Sequence, residues 1–159
     1  MQKQHDNISG FTIKIRSIHK IFVMIPIIFG STFYLLSRNL EHGIYLSEET
    51  ELAFTAMAVT SCILFGDFIF KKKISEITAA TPLTEKINKF RIAFVIKLSL
   101  IYGPAVVSTF IYHTTHNLAY LLIGGILVLY MIILVPKKEK IAEQLRLRGK
   151  EKIIFNQFA

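Results

Sequence analysis

The sequence predicts an all-α membrane protein, a four-transmembrane-helix bundle with cytoplasmic helical extensions. Three observations lead there. Four long windows, about 20–37, 52–70, 92–112 and 118–135, are almost free of charge. Nearly every Lys and Arg falls on one side of those windows. The chain is 52% hydrophobic and only 19% charged, with mean hydropathy +0.48, unusual for a soluble chain of 159 residues. A hydrocarbon core of ~30 Å takes about 20 helical residues, in a range of roughly 17–25, and each window meets that length. A soluble bundle helix would keep a polar face, which these four lack. The whole chain, 1–159, reads as a single membrane domain.

The elements follow in order. Residues 1–10 are polar. From Phe11, the spacing Phe11, Ile15, Ile18 favours a helix leading into the first span over an extended segment. Pro26 and Gly30 are candidate kinks within it. The basic region is long and no small-residue cleavage site follows, so the first span is expected to stay as an anchor and not to be removed as a signal peptide. The second span carries helical spacing beyond its apolar window through Phe70, Ile74 and Ile77. A turn is expected at Ala79 to Thr81, with Thr81 as N-cap and Pro82 in the first helical position. Leu83, Ile87, Phe90 and Phe94 then carry an apolar stripe into the third span, so that residues 71–91 form a cytoplasmic extension of the hairpin. The fourth span is expected to continue past Pro136, because Ile141 and Leu145 keep a spacing of four, and to stop at Gly149. In the tail, 136–159, Ile153, Ile154, Phe155 and Phe158 are expected to fold back onto the membrane surface or a partner.

Charge sets the orientation. Lys3, Lys14, Arg16 and Lys20 precede the first span. Lys71, Lys72, Lys73, Lys86, Lys89 and Arg91 separate the second from the third. Seven more cations, from Lys137 to Lys152, follow the fourth. The loop after the first span has Arg38 alone against Glu41, Glu48, Glu49 and Glu51, and His113 to Asn117 has no Lys or Arg. The positive-inside rule therefore places both termini in the cytoplasm. It also accounts for the net charge of +8 without nucleic acid, and sets the basic segments against anionic lipid headgroups. Cys62 is the only cysteine, which excludes an internal disulfide and any oxidoreductase built on paired thiols.

Asp67 and Lys97 are the sharpest candidates for chemistry. An ionisable group at mid-membrane costs about 2.5–3.5 kcal/mol, so each calls for a reason. Asp67 lies four residues before Lys71 and Lys97 six after Arg91, about 6 and 9 Å from the cytoplasmic end at helical rise. On neighbouring helices they can form an ion pair, serving either structure or a proton or ion relay. Gly103 and Pro104 mark a candidate helix break, since proline removes a backbone hydrogen bond and crowds the carbonyl of Leu100. Small residues at Ala58, Cys62 and Gly66, and at Ser99 and Gly103, repeat at spacing four and suit close helix packing, within one chain or between copies. His113 and His116, with His42, are the imidazoles available for a metal at the outer face, a weak set without fixed partners. No histidine lies mid-span to hold a haem. No serine–histidine, zinc-protease or phosphotransferase motif is present. A small multidrug transporter needs a glutamate deep in the first span, and a rotor subunit a deeper carboxylate than Asp67.

The segments Pro82-Leu83-Thr84-Glu85-Lys86, Arg91, Lys97, Gly103-Pro104-Ala105 and Pro136 to Ile141 together resemble a group of small, uncharacterised four-span bacterial inner-membrane proteins, over roughly residues 82–145. A basic residue of that group matches Lys97. An acid often precedes the Gly-Pro there, where this chain has Tyr102. The resemblance implies a bacterial cytoplasmic membrane and carries no activity with it. The expectation is a non-catalytic integral membrane protein without cofactor or metal, a subunit, scaffold or assembly factor meeting lipid and a protein partner or second copy. The alternative is a small oligomeric transporter or channel using Asp67, Lys97 and Gly103-Pro104. A membrane enzyme ranks third.

Overall fold

An apolar solvent cannot satisfy backbone N–H and C=O groups, and a helix satisfies them within itself. The computed structural model describes residues 10–41, 43–45, 49–78 and 80–158 and is helical along most of them. The elements are α1 (Phe11–Ser37), α2 (Glu49–Ser75), α3 (Leu83–Thr115), α4 (Leu118–Ile133), α5 (Lys138–Gln144) and α6 (Gly149–Phe158). Three helices, α1, α2 and α3, are long and apolar enough to cross a membrane. A fourth crossing exists if α4 and α5, bent by 79° from each other, are taken as one.

The helix α3 is the centre of the fold. Its 33 residues span about 50 Å at helical rise, and it packs on α1, α2 and α4. Aromatic pairs zip α1 to α3 in parallel: Phe11 with Phe90, Phe22 with Tyr102, Phe29 with Phe110, and Phe33 with His113. Two close approaches bring α4 alongside. A Cβ on Gly124 would lie 3.4 Å from the Ala105 carbonyl oxygen of α3, and one on Gly30 of α1 would lie 3.5 Å from Leu121. The helices α1, α3 and α4 thus pack mutually, whereas α2 leans on α3 and barely meets α4. Only 6% of the apolar window of α2 is buried, against 33% for α3. Phe54, Met57, Leu64, Phe65 and Phe68 of α2 stay exposed. The arrangement is a three-helix core with a fourth helix at its side.

The densest core sits at the basic end. Phe11, Ile15, Ile77, Leu83, Ile87, Phe90, Phe94, Ile141, Leu145 and Phe155 are all buried there. Phe90 anchors it, edge-on to Phe11 and Phe70 and stacked with Phe94. The extension of α1 is the expected helix, with Phe11 and Ile15 buried and Ile18 half-buried. In the tail, Phe155 packs against Phe11 while Ile153 stays exposed. Part of the tail's apolar surface is therefore covered by the protein itself.

The structure corrects several local expectations. The fourth helix does not run past Pro136. It ends at Ile133, and Leu134 to Lys137 are non-helical before α5 turns away. Proline has no N–H to give and forces the preceding residue towards extended conformations, which outweighed the spacing of Ile141 and Leu145. Gly149 begins α6 instead of stopping a helix. The stop comes at Arg146, which takes φ 51°. Its N–H bonds the Glu143 carbonyl and that of Leu147 reaches back to Ala142, the pair of bonds that closes a helix around a left-handed residue, usually glycine. Pro82, not Thr81, is the N-cap of α3, so the helix starts one residue later than expected, at Leu83. Thr81 turns back to bond Thr78 through its hydroxyl. The helix α3 continues through Gly103 and Pro104 without interruption, so the broken helix of this protein is the fourth, not the third. Pro26 likewise lies inside an unbroken α1. The expectations placed on Lys3, His42, Glu48 and Ala79, and on the side chains of Glu49 and Phe158, lie outside the described residues.

The two adjacent glycines of α4 give a paired test. Gly124 faces backbone and side chains of α3, whereas nothing lies within 4 Å of a Cβ on Gly125. Gly124→Leu is expected to lower stability by about 1–3 kcal/mol through overpacking, and Gly125→Leu to change it by less than about 0.5 kcal/mol. Thermal unfolding of the two variants in one detergent measures the difference.

Candidate functional site

Four sets of polar contacts stand out in an otherwise apolar molecule, three of them at the basic end. The first joins α2 to α3: Lys97 Nζ lies 2.5 Å from Asp67 Oδ1, without hydrogen-bond alignment, and 5.4 Å from the centre of the Phe70 ring. The Lys97 side chain is 13% exposed and that of Asp67 34%. An exposed ion pair is worth about 0–1 kcal/mol. A charge left alone in a membrane span costs about 2.5–3.5 kcal/mol at its centre. Backbone contact follows at the same level, where a Cβ on Gly66 of α2 would lie 3.6 Å from the Lys97 carbonyl oxygen.

The second set holds the end of α4. The last turn of α4 closes on Leu134, whose N–H reaches the Tyr130 and Met131 carbonyls. His19 and Arg16, one turn apart on α1, add side-chain bonds at that turn and just beyond it. His19 is buried and its Nε2 is 2.8 Å from the Met131 carbonyl oxygen. A carbonyl only accepts, so this nitrogen carries the proton. Arg16 Nε donates to the Pro136 carbonyl at 3.3 Å. Positive charge at a helix C-terminus also suits the helix dipole.

The third set fixes the tail. Lys86 of α3 is 2% exposed and its Nζ lies 2.8 Å from Glu151 Oε2 of α6. The fourth closes the opposite end. Asn117, fully buried, caps α4 by accepting from Ala119 N–H, and its amide donates to the Tyr45 carbonyl at 2.9 Å. Leu118 N–H bonds the Gly43 carbonyl beside it. Nearby, buried Ser37 meets the Tyr112 hydroxyl at 3.3 Å.

The remaining sequence candidates are placed as follows. Gly66 is buried against α3 and Cys62 is half-buried, but Ala58 and Ser99 face outward. Gly103 has nothing within 4 Å of a built Cβ, so the second small-residue row does not serve packing within this chain. The helix turns about 100° per residue, and the apolar residues Ala93, Phe94, Leu98, Ile101 and Ala105 take the buried face of α3 instead. His113 stacks on Phe33 with ring centres 4.4 Å apart. His116 ends α3 in the left-handed conformation. Among the described residues no group of three or more His, Cys, Asp or Glu could hold a metal ion.

Sequence reasoning passed over His19, Arg16, Lys86 and Asn117. Asn117 stands directly before an apolar run, the ordinary place for an N-cap. Lys86 falls on the same face as Leu83 and Phe90, so its burial was written in the stripe. Nothing local distinguished Arg16 and His19, whose partners lie more than 110 residues away.

Two cavities matter. An apolar groove of about 530 Å³ lies between α1 and α4, lined by Pro26, Gly30, Tyr34, Leu121, Gly124 and Gly125 among others. A smaller crevice of about 110 Å³ opens at the α4–α5 bend, where Phe70, Phe90, Phe94 and Lys97 meet Lys137 and Lys140. No known protein family, curated protein or solved structure matches the chain. What the fold and its contacts define is an all-helical chain with the span lengths and apolarity of a multi-pass membrane protein.

Removing either partner of the α2–α3 pair alone leaves the other charge uncompensated. Asp67→Asn and Lys97→Met are each expected to destabilise the protein, and the double variant to recover part of the loss. The coupling expected for a contact pair is about 0.5–3 kcal/mol. Unfolding of the four proteins in a common detergent gives its value.

Proposed function

We propose that this chain is a non-catalytic component of a bacterial cytoplasmic membrane: a four-span bundle with both termini inside, acting as a subunit, scaffold or assembly factor. The Asp67–Lys97 contact carries this reading. Asp67 and Lys97, within the apolar windows, face each other and join α2 to α3, the one helix it packs on extensively. They balance each other's charge, leaving no net charge there for an ion or substrate. The other buried polar contacts likewise join helix to helix or cap their ends. Meanwhile α2 offers a run of large apolar side chains that the chain itself leaves uncovered. In lipid that face meets acyl chains or the helix of a partner, and van der Waals fit decides between them. Taking the window 118–135 as the fourth crossing puts Lys14, Lys71, Lys89 and Lys137 on one side, which the positive-inside rule makes the cytoplasm.

A transporter or channel is the second reading, favoured by one observation: Lys97 lines the crevice at the α4–α5 bend and is not sealed away. Under that reading Asp67 and Lys97 would have to part during a cycle, with Gly103-Pro104 as the flexible point of α3.

Affinity purification of tagged chain from gently solubilised native membranes separates the two. A component of a complex is expected to bring down stoichiometric partners, and the Asp67→Asn/Lys97→Met double variant is expected to bring down the same set. Recovery of the chain alone or as a homo-oligomer, with loss of an ion-coupled flux in the double variant, would favour the transporter and contradict the proposal.

A further inference from the structure

The crevice at the α4–α5 bend gathers cations from three parts of the chain. Lys97 comes from α3, Lys137 from the bend, and Lys140 from α5. Arg16 reaches the same place from α1 through the Pro136 carbonyl. The counter-charge is small. Asp67 pairs with Lys97. The acids of α5, Glu139 and Glu143, line a different cleft together with Lys138 and Lys152. Lys137 and Lys140 are exposed, and neither forms an ion pair among the described residues. Two uncompensated lysines thus flank a pocket whose inner wall is aromatic.

The surroundings select the kind of anion. Directly before the lysines, the wall is Ile133, Leu134 and Val135, with Ile133 77% exposed. Apolar surface therefore gives way to two cations within four residues. This is the profile of the lipid–water boundary. It matches a molecule with an anionic head and a hydrocarbon tail better than a free ion, which would gain nothing from the apolar shoulder. The bend produces the site: a straight helix would continue past Ile133 and carry Lys137 and Lys140 away along its axis.

We infer that this crevice is a binding site for the phosphate headgroup of an anionic phospholipid. Lys137 and Lys140 contact the phosphate, and the acyl chain lies along Ile133 and Val135. The inference rests on the membrane reading above and narrows the diffuse attraction of basic flanks to one place. Basic pockets between helices on the cytoplasmic side are suited to such headgroups, and each lysine near the surface contributes about 1 kcal/mol of attraction.

The test is titration of the full chain, in a neutral maltoside detergent, with fluorescent short-chain phosphatidylglycerol. Phosphatidylcholine serves as the zwitterionic comparison. Lys137→Gln/Lys140→Gln is expected to weaken phosphatidylglycerol binding by about tenfold or more, given the contribution of each lysine. Lys14→Gln/Lys20→Gln removes the same charge from exposed positions of α1 and is expected to change it by less than about twofold, because the site is local. Lys137→Arg/Lys140→Arg keeps the charge and is expected to retain binding. Unchanged helix content by circular dichroism shows that each variant folds. Equal losses in the two glutamine pairs, or equal binding of phosphatidylcholine, would overturn the inference. So would displacement by millimolar inorganic phosphate, which would make the ligand a free anion. Extraction of the chain without detergent would instead sink the membrane reading itself. A flat titration of a chain that does need detergent sinks only this site.

Discussion

Polar groups in this chain have to find their partners inside it, because the long helices turn apolar side chains outward over most of their length. That constraint bears most directly on the Asp67–Lys97 contact inside the windows, and the contacts at their edges follow the same pattern. Lys97 meets Asp67, and Arg16 and His19 take up the carbonyls at the end of α4. Asn117 satisfies both its own helix start and the Tyr45 carbonyl beside it. Each contact also joins two elements distant in sequence, so satisfying a polar group and fixing a helix are the same event. In water such ties would be optional, since solvent would serve as partner. In hydrocarbon they are obligatory.

The same constraint accounts for the uneven packing. Lipid gives helices no hydrophobic reason to associate, and the apolar face of α2 is indeed left bare. Where α1, α3 and the tail extend beyond the apolar windows, a compact core forms around Phe90 with α5 and α6 folded over it. Lys86, buried with Glu151 as its partner, shows the cost of closing that core over a charge. A buried pair of this kind contributes little net stability but is costly to break, so it acts to fix where the tail docks.

The windows and the helices were readable from the residues because a span is a local property of length and apolarity. Most element limits fell within a few residues for the same reason. The Asp67–Lys97 contact was also within reach, since two charges at equal depth on adjacent helices have few other partners. What could not be read was decided between distant segments or by small conformational preferences. Periodicity in Ile141 and Leu145 gave no account of the proline before them. Gly149 looked like the natural stop, and it does take φ 50°, yet the helix closes earlier, at Arg146, where the two backbone bonds to Ala142 and Glu143 outweigh the modest penalty for a residue with a Cβ. Ser99 and Ala58 fit a spacing rule that says nothing about which face of a helix finds a neighbour.

The central claim is that lipid surrounds the apolar windows and that the basic end lies in the cytoplasm. Single cysteines in a Cys62→Ala background test it most directly, with a membrane-impermeant maleimide applied to intact cells. Glu41→Cys is expected to be labelled from outside, and Lys150→Cys only after the membrane is opened. Labelling of Lys150→Cys on intact cells, or protection of Glu41→Cys, would contradict the account.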